Sequence, residues 1–565
     1  MKLTKFLLRP LIAVILISLC AGRGFAASGK FDIFSFSGPK MKELYYITIT
    51  DPDAAILAMS SGKLDVLGDV FRPSDIERLS SMNEVTLSLA PSFHEFLITL
   101  NVRKFPWDHK ELRQAASQVV DRKRWVRDLF SGYCESITGF LPSISPYYEA
   151  TEPFPYGTER ARRRLADAGW TRNSSGWLVA PDGRPLPVTK ILCPPSSVAA
   201  TTTEIAQLFA EALVSIGIPA EINPMDFQTM IARIQAQDFD VSTSAWTLSR
   251  DPDTLFSFYH SSMNVDGGYN NSGISDPELD AALSELRYAP DEKSARAAAS
   301  RAQALLSDLM PVIPLYSRYS ISAMRNDWRG AFSTDRITSD NSFSLISMTP
   351  QSGEARPIYW SLPSDIRTLN PLVSTSAYDW MVLGTVYDGS LISVDPYTFE
   401  DAPWLARSWE IGTDKSSGRE KTVMSFTLRD GLKWQDGRPL TVEDAAFTLN
   451  YIKKNEVPRF YDIVHDIESI TTDAKRRTIR IVMANTSYWH LHNIGGMFVL
   501  PKHILEKVPD WRAWQPANRR HKAADGTDMT ELVGTGPFIF EESRTGEYVR
   551  MKRNDRYILY RGGAK

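Results

Sequence analysis

The chain has 565 residues, of which 43% are hydrophobic and 23% charged, an ordinary globular composition that excludes a collagen-like, coiled-coil or wholly disordered chain. The 64 Lys and Arg against 67 Asp and Glu give a net charge of -3, so no basic balance points to nucleic acid. Three cysteines are too few for a disulfide-built scaffold, and at about 150 residues per domain the length predicts three or four core-bearing units.

The first segment has the pattern of a targeting signal. Lys2, Lys5 and Arg9 precede an apolar run, Leu11 to Leu19, that is shorter than the ~20 helical residues a bilayer needs. Gly24-Phe25-Ala26 then fits a signal-peptidase site, so residues 1–26 are expected to be removed. That removes four basic residues and no acidic ones and moves the net charge from -3 to -7. The mature chain is expected in the periplasm or outside the cell. Lipid anchoring at Cys20 is the alternative, with Leu19 a poor fit where a small residue is normal. Cys134 and Cys193 remain, either bridged or as two buried thiols.

Asp51-Pro52-Asp53 predicts a turn. A helix is predicted from Thr158 through Ala161, Leu165 and Ala168, with Gly169 just past its end. Asp251-Pro252-Asp253 is a second turn. Asp276 caps a helix that begins at Pro277 and carries Leu279, Leu283 and Leu286 on one face. Thr349 to Pro357 is polar and broken by Pro and Gly, a linker. Met424, Phe426 and Leu428 alternate with Val423, Ser425 and Thr427, a half-buried strand. Thr441 with Asp444 forms a capping box before Ala445, Leu449 and Ile452. Ile479, Ile481 and Met483 mark another strand, and residues 561–565 a tail. The elements alternate in no simple order, so several α/β lobes are expected rather than one doubly wound sheet.

Catalytic motifs are missing: the sequence contains no G-x-S-x-G, H-E-x-x-H or phosphate-loop pattern, and Gly267-Gly268 lacks the following Lys-Ser/Thr. His490 and His492 share a face if extended, but two ligands without a third make a weak metal site. No catalytic residue, metal or cofactor is therefore assigned.

Several segments resemble the extracellular solute-binding proteins of family 5, the peptide and nickel group serving ABC importers. They are Trp404 to Glu410, Phe426 to Gly437, Leu440 to Asp444, Gly534-Thr535-Gly536-Pro537-Phe538 and Arg553-Asn554-Asp555-Arg556-Tyr557. Earlier in the chain come Asp51 to Ala55, Ser61 to Val66, Arg113-Gln114-Ala115 with Asp121-Arg122, Asp276 to Asp280 and Pro311 to Tyr316. In the family the first set precedes the second. Here the order is reversed and each segment occurs once, which implies a circular permutation. Lys30 and Lys565 are then expected within roughly 15 Å of each other.

The resemblance implies an α/β fold of the two-lobed periplasmic binding protein type, class II and large three-domain form. Its parts map to domain I at 30–98, 320–395 (with the permutation linker 349–357) and 532–565, a ligand-binding lobe II at 99–319, and an extra domain at 396–531. The implied function is capture of a peptide-sized solute, an oligopeptide or oligosaccharide, by lobe closure and its delivery to the membrane permease subunits of an ABC importer. The expected protein is a monomer and not an enzyme. The alternatives are a secreted glycan or peptide hydrolase and a non-transporting sensory protein.

The implied ligand contacts are Trp246, Thr247, Ser249, Arg250 and Asp251 from one lobe, Thr375, Ser376, Tyr378 and Trp380 from the other, and Tyr316 and Arg318 at the late hinge segment. Peptide-binding members carry an Asp three residues after the tryptophan, where it pairs with the ligand's ammonium. Here that position is Ser249, followed by Arg250, so a neutral or anionic ligand fits better.

Overall fold

Two long strands cross the molecule and organise everything else. In the computed structural model, which describes residues 31–265, 268–374, 376–415 and 420–561, Val85–Leu100 pairs antiparallel with Val312–Arg325 along nearly its whole length. The ladder slips between Pro314 and Tyr316 and again between Ser317 and Tyr319. Proline cannot donate to a ladder, and an irregularity there bends the ribbon. Ser317 Oγ bridges the gap by donating to the carbonyls of Ser92 at 3.1 Å and His94 at 3.0 Å. The expected break at 98/99 lies inside the first of these strands.

The pair sits inside an 11-stranded sheet. On one side follow Val66–Leu67, Ile358–Leu362, Glu43–Thr48, Tyr548–Arg553 and Phe538–Arg544. On the other follow Val241–Thr247, Thr189–Cys193 and Ala220–Pro224, and Cys134–Ser136 pairs with Val312–Arg325 off this path. The sheet therefore runs through two halves with separate apolar cores. One core gathers residues from Phe96 to Tyr316 together with Trp489. The other gathers residues from Ile33 to Tyr46 and from Trp328 to Leu559.

The segment expected to form an extra domain builds a four-stranded antiparallel sheet from Ala406–Asp414, Lys421–Leu428, Thr478–Met483 and Ile467–Asp473. Strict alternation buries Met424, Phe426 and Leu428 against the helix Val442–Lys454, whose capping box pairs Thr441 with Asp444. These side chains belong to the same apolar cluster as the first half, so this segment has no core of its own. Asp276 caps Pro277–Arg287 through bonds to the backbone of Glu278 and Leu279. Thr158 is the first helical residue of Thr158–Asp167, one position inside the cap.

Residues 349–357 form an exposed reverse turn rather than a loose linker. Thr349–Pro350 pairs with Trp328–Arg329, and Gly353 takes a left-handed conformation at φ +80°. Arg356 then anchors the exit on the buried carboxylate of Asp65 at 3.0 Å. Cys134 and Cys193 are buried and unbonded. The signal segment, Cys20, Lys30, Lys565 and Thr375 lie outside the described residues.

Candidate functional site

The strand Val241–Thr247 begins fully buried at Val241 and emerges at its end, so Ala245 and Thr247 are exposed and Trp246 is half-buried. Its register on the first crossing strand places Trp246 directly opposite Glu95 and Ala245 opposite Phe96. A cavity of about 500 Å³ opens beside this emerging end, walled by Phe96, Met230, Ile234, Thr243, Trp246 and Tyr269. That volume lies in the range typical of small-molecule sites, and its walls are largely apolar. Phe258 stands edge-on to Trp246 at 4.9 Å, and Tyr269 does so at 6.0 Å, which fixes the indole from two sides.

The other expected contacts are dispersed. Tyr316 is buried behind the cavity wall, stacked on Phe96 at 5.0 Å and packed against Phe130 at 4.6 Å. Arg318 pairs with Asp69 at 3.2 Å. Ser376 caps the helix Ala377–Val386, and Tyr378 is half-buried against the first half's core. Trp380 packs between helices, 5.4 Å from Phe498 and beneath the Arg459 guanidinium. None of these residues lines the Trp246 cavity. Thr247 and Ser249 are exposed, and the Ser249 hydroxyl closes a turn on the backbone N–H of Asp251 at 3.1 Å.

Arg250 and Asp251 form a junction between the halves. Arg250 donates to the Phe399 carbonyl at 2.6 Å and pairs with Asp401. His492 lies between two carboxylates, Nδ1 at 2.8 Å from Asp251 and Nε2 at 3.0 Å from Asp401. Burial alone would lower the His492 pKa. Hydrogen bonds to Asp251 and Asp401 and the charges of both outweigh it and push the group up to about 9. Burial likewise raises Asp401, but His492 and Arg250 hold its carboxyl below the ordinary range. The expectation that Arg250 favours an anionic ligand therefore does not hold in this geometry, because two carboxylates already match its charge. A second cavity of about 480 Å³ opens at this junction, lined by Arg250, Asp251, Asp401 and His492 together with apolar side chains such as Trp409 and Leu491.

His490 and His492 do not share a face. They sit on the helix Trp489–Gly495, where residues two apart diverge by about 200°. His490 Nε2 meets Asn485 instead, at 2.7 Å. No cluster of metal-ligand type occurs among the described residues.

Sequence reasoning missed Asp401, His492 as a junction residue, and Glu95. Glu95 is 2% exposed, and its Oε1 has no hydrogen-bond partner among the described residues. Burial pushes its carboxyl up to about 8. The available signal was an acid set just before the apolar run Phe96-Leu97-Ile98.

Two halves joined by one pair of crossing strands, with a ligand-sized cavity against one of those strands, make a two-lobed α/β architecture. The chain belongs to the bacterial extracellular solute-binding proteins, family 5, which match residues 30–267 and 401–565. Di/tripeptide-binding protein 2 of Pseudomonas aeruginosa is 24% identical over 294 residues, 52% of this chain and 53% of that protein. Glutathione-binding protein GsiB of Salmonella choleraesuis is 24% identical over 315 residues, 54% of this chain and 57% of that one. The chain thus spans a little over half the length of these relatives. Among solved structures, the oligopeptide-binding protein AppA from Bacillus subtilis, in complex with a nonapeptide, aligns with a TM-score of 0.45 at 21% identity over 53% of this chain and 59% of that one.

Proposed function

We propose that the protein is the solute-binding component of an ABC importer, taking a peptide-sized solute into the Trp246 cavity and handing it to membrane permease subunits. It acts outside the cytoplasm, as a monomer, by binding rather than by turnover. The observation that carries the reading is the 500 Å³ cavity set against a crossing strand in a chain of this family. The residues that line the cavity, from Phe96 to Asn271, all belong to one half, so the solute has to reach the other half as well before it can drive the two toward a closed arrangement. The names of the curated relatives support a peptide-sized solute.

Thermal shift with native mass spectrometry of co-purified ligand tests the reading, since a ligand that binds the native state alone raises its stability. Trp246→Ala is expected to weaken binding by roughly tenfold or more, the loss of one buried aromatic contact. Trp434→Ala serves as the contrast. Trp434 is fully buried in the first half's core, so its loss lowers stability by about 3–5 kcal/mol and leaves the affinity of the folded fraction unchanged. Equal binding losses in two well-folded variants would remove the cavity from the function.

The same reading takes the chain as a circular permutant of its family. Its support is the reversed motif order and the meeting of the outermost described segments. The Gly38 N–H donates to the Leu559 carbonyl at 3.1 Å, and Arg561 to the Phe34 carbonyl at 2.6 Å. Few buried bonds are cut at such sites. A chain reopened in the exposed turn at 351–355, with residues 31 and 561 joined by a short linker, is expected to melt within a few degrees of the original. Failure of that chain to fold would count against the permutation.

A further inference from the structure

Trp246 lines two spaces. One is the 500 Å³ cavity; the other is a recess of about 10 Å³ lined by Glu95, Phe140, Phe258 and Tyr259. Among the described residues, Trp246 alone is common to both linings. The recess is no larger than one water molecule, yet its wall holds a carboxylate that is buried and lacks a partner on Oε1. Burial is the sole cause of the shift in Glu95, so no neighbouring cation compensates it. A buried acid without a counter-ion is costly to keep, and side chains of that kind concentrate at functional sites.

The rest of the site offers a cation nothing else. Ser249 is neutral and turned onto its own backbone. Asp251 and Asp401 are matched by His492 and Arg250. Among the described residues next to the cavity, Glu95 is the one carboxyl group without an ion-pair partner.

We propose that Glu95 is the counter-charge for a cationic group of the bound solute, an ammonium or a guanidinium, which reaches it past the Trp246 ring while the rest of the solute stays in contact with the indole. This rests on the solute-binding reading above and narrows its ligand class. Seating the cation ionises the carboxyl, and the proton passes to the buffer. Near neutral pH the free protein holds that proton, because burial keeps the group's pKa at about 8. Binding of a cationic solute at pH 7 therefore releases close to one proton.

The test is calorimetry at pH 7 in two buffers of different ionisation enthalpy. The probes are trileucine, N-acetyl-trileucine, N-acetyl-leucyl-leucyl-arginine amide and maltotriose. Trileucine or the arginine peptide is expected to bind at least roughly 30-fold more tightly than N-acetyl-trileucine, the scale for losing one partner of a buried charge pair. Proton release should accompany the tighter probe. A preference for trileucine assigns the ammonium, and one for the arginine peptide assigns the guanidinium. Glu95→Gln, which keeps the shape, should abolish both the preference and the proton release. The proton count on the unmutated protein needs no variant to fold. Binding of N-acetyl-trileucine or maltotriose with no advantage for either cationic probe, or an advantage that survives Glu95→Gln, overturns the role of Glu95 and leaves solute binding standing. Silence from all four probes overturns both.

Discussion

Replacing Trp489 with alanine is expected to destabilise the protein by about 3–5 kcal/mol, the range for emptying a buried aromatic site. Trp489 follows the four-stranded sheet in sequence, yet its side chain is 2% exposed and packs in the core of the opposite half. Its Nε1 donates to the Leu286 carbonyl at 2.9 Å, at the end of the helix Pro277–Arg287. Ser487 Oγ donates to the Arg287 carbonyl at 2.6 Å, and the Tyr488 N–H to the Ala289 carbonyl at 2.7 Å. Three consecutive residues thus close this helix end, two of them on the Leu286 and Arg287 carbonyls that the helix leaves open at its C-terminus and one on Ala289 just past its cap. Urea unfolding followed by circular dichroism measures the loss. A change under about 1 kcal/mol, the scale of a surface substitution, would mean that this segment is not seated in solution. The contact also bears on motion. Opening of the halves has to leave this seat intact or uncover a tryptophan.

Local patterns were legible wherever one element settles the outcome by itself. Alternation along 423–428 gave the strand and its buried face, and Asp276 before Pro277 gave a cap. Trp246 was reached through resemblance, and the structure places it on the cavity. Arg250 and His492 were misjudged for one reason. Their meaning depends on partners 151 and 241 residues away, and no spacing rule reaches that far. Tyr378 and Trp380 look alike whether they stack on a ligand or fill a gap between helices, since the residue type is the same for both. The segment 396–531 carries enough apolar residues for its own core, but only assembly shows that core merging with its neighbour. Glu95 was overlooked because a single acid within a strand reads as a solvent-facing position until its neighbours across the sheet are known.

Stability is expected to fall between about pH 6.5 and pH 9 in a way that His492→Gln removes. Asp251, Asp401 and Arg250 face the imidazole, and Tyr488 and Trp489 pack edge-on to it at 5.1 and 5.7 Å. The native state keeps the His492 proton up to about pH 9, whereas an unfolded chain loses it near 6.5. Across that window the native state binds more protons, so its stability declines as pH rises. The contribution is fully present below about pH 6.5 and gone above the folded value, on the order of 3 kcal/mol in total. Asp401 works in the opposite direction at the acid end. Its depressed pKa contributes above the ordinary carboxylate range and is lost as pH falls through the folded value. Glu95 and Asp388, raised by burial to about 8 and about 7, decline in overlapping windows with the same sign as His492. The quantity to compare is therefore the difference between the original protein and His492→Gln, measured as unfolding free energy at pH 6 and pH 9.5. At pH 6 the variant should be weaker by about 3–5 kcal/mol, because two buried carboxylates keep only Arg250 between them. At pH 9.5 the gap should shrink, since the original imidazole is then largely neutral. A gap that stays constant with pH would show that His492 contributes shape rather than charge, and the two halves would then be held at this point by the Arg250–Asp401 pair alone.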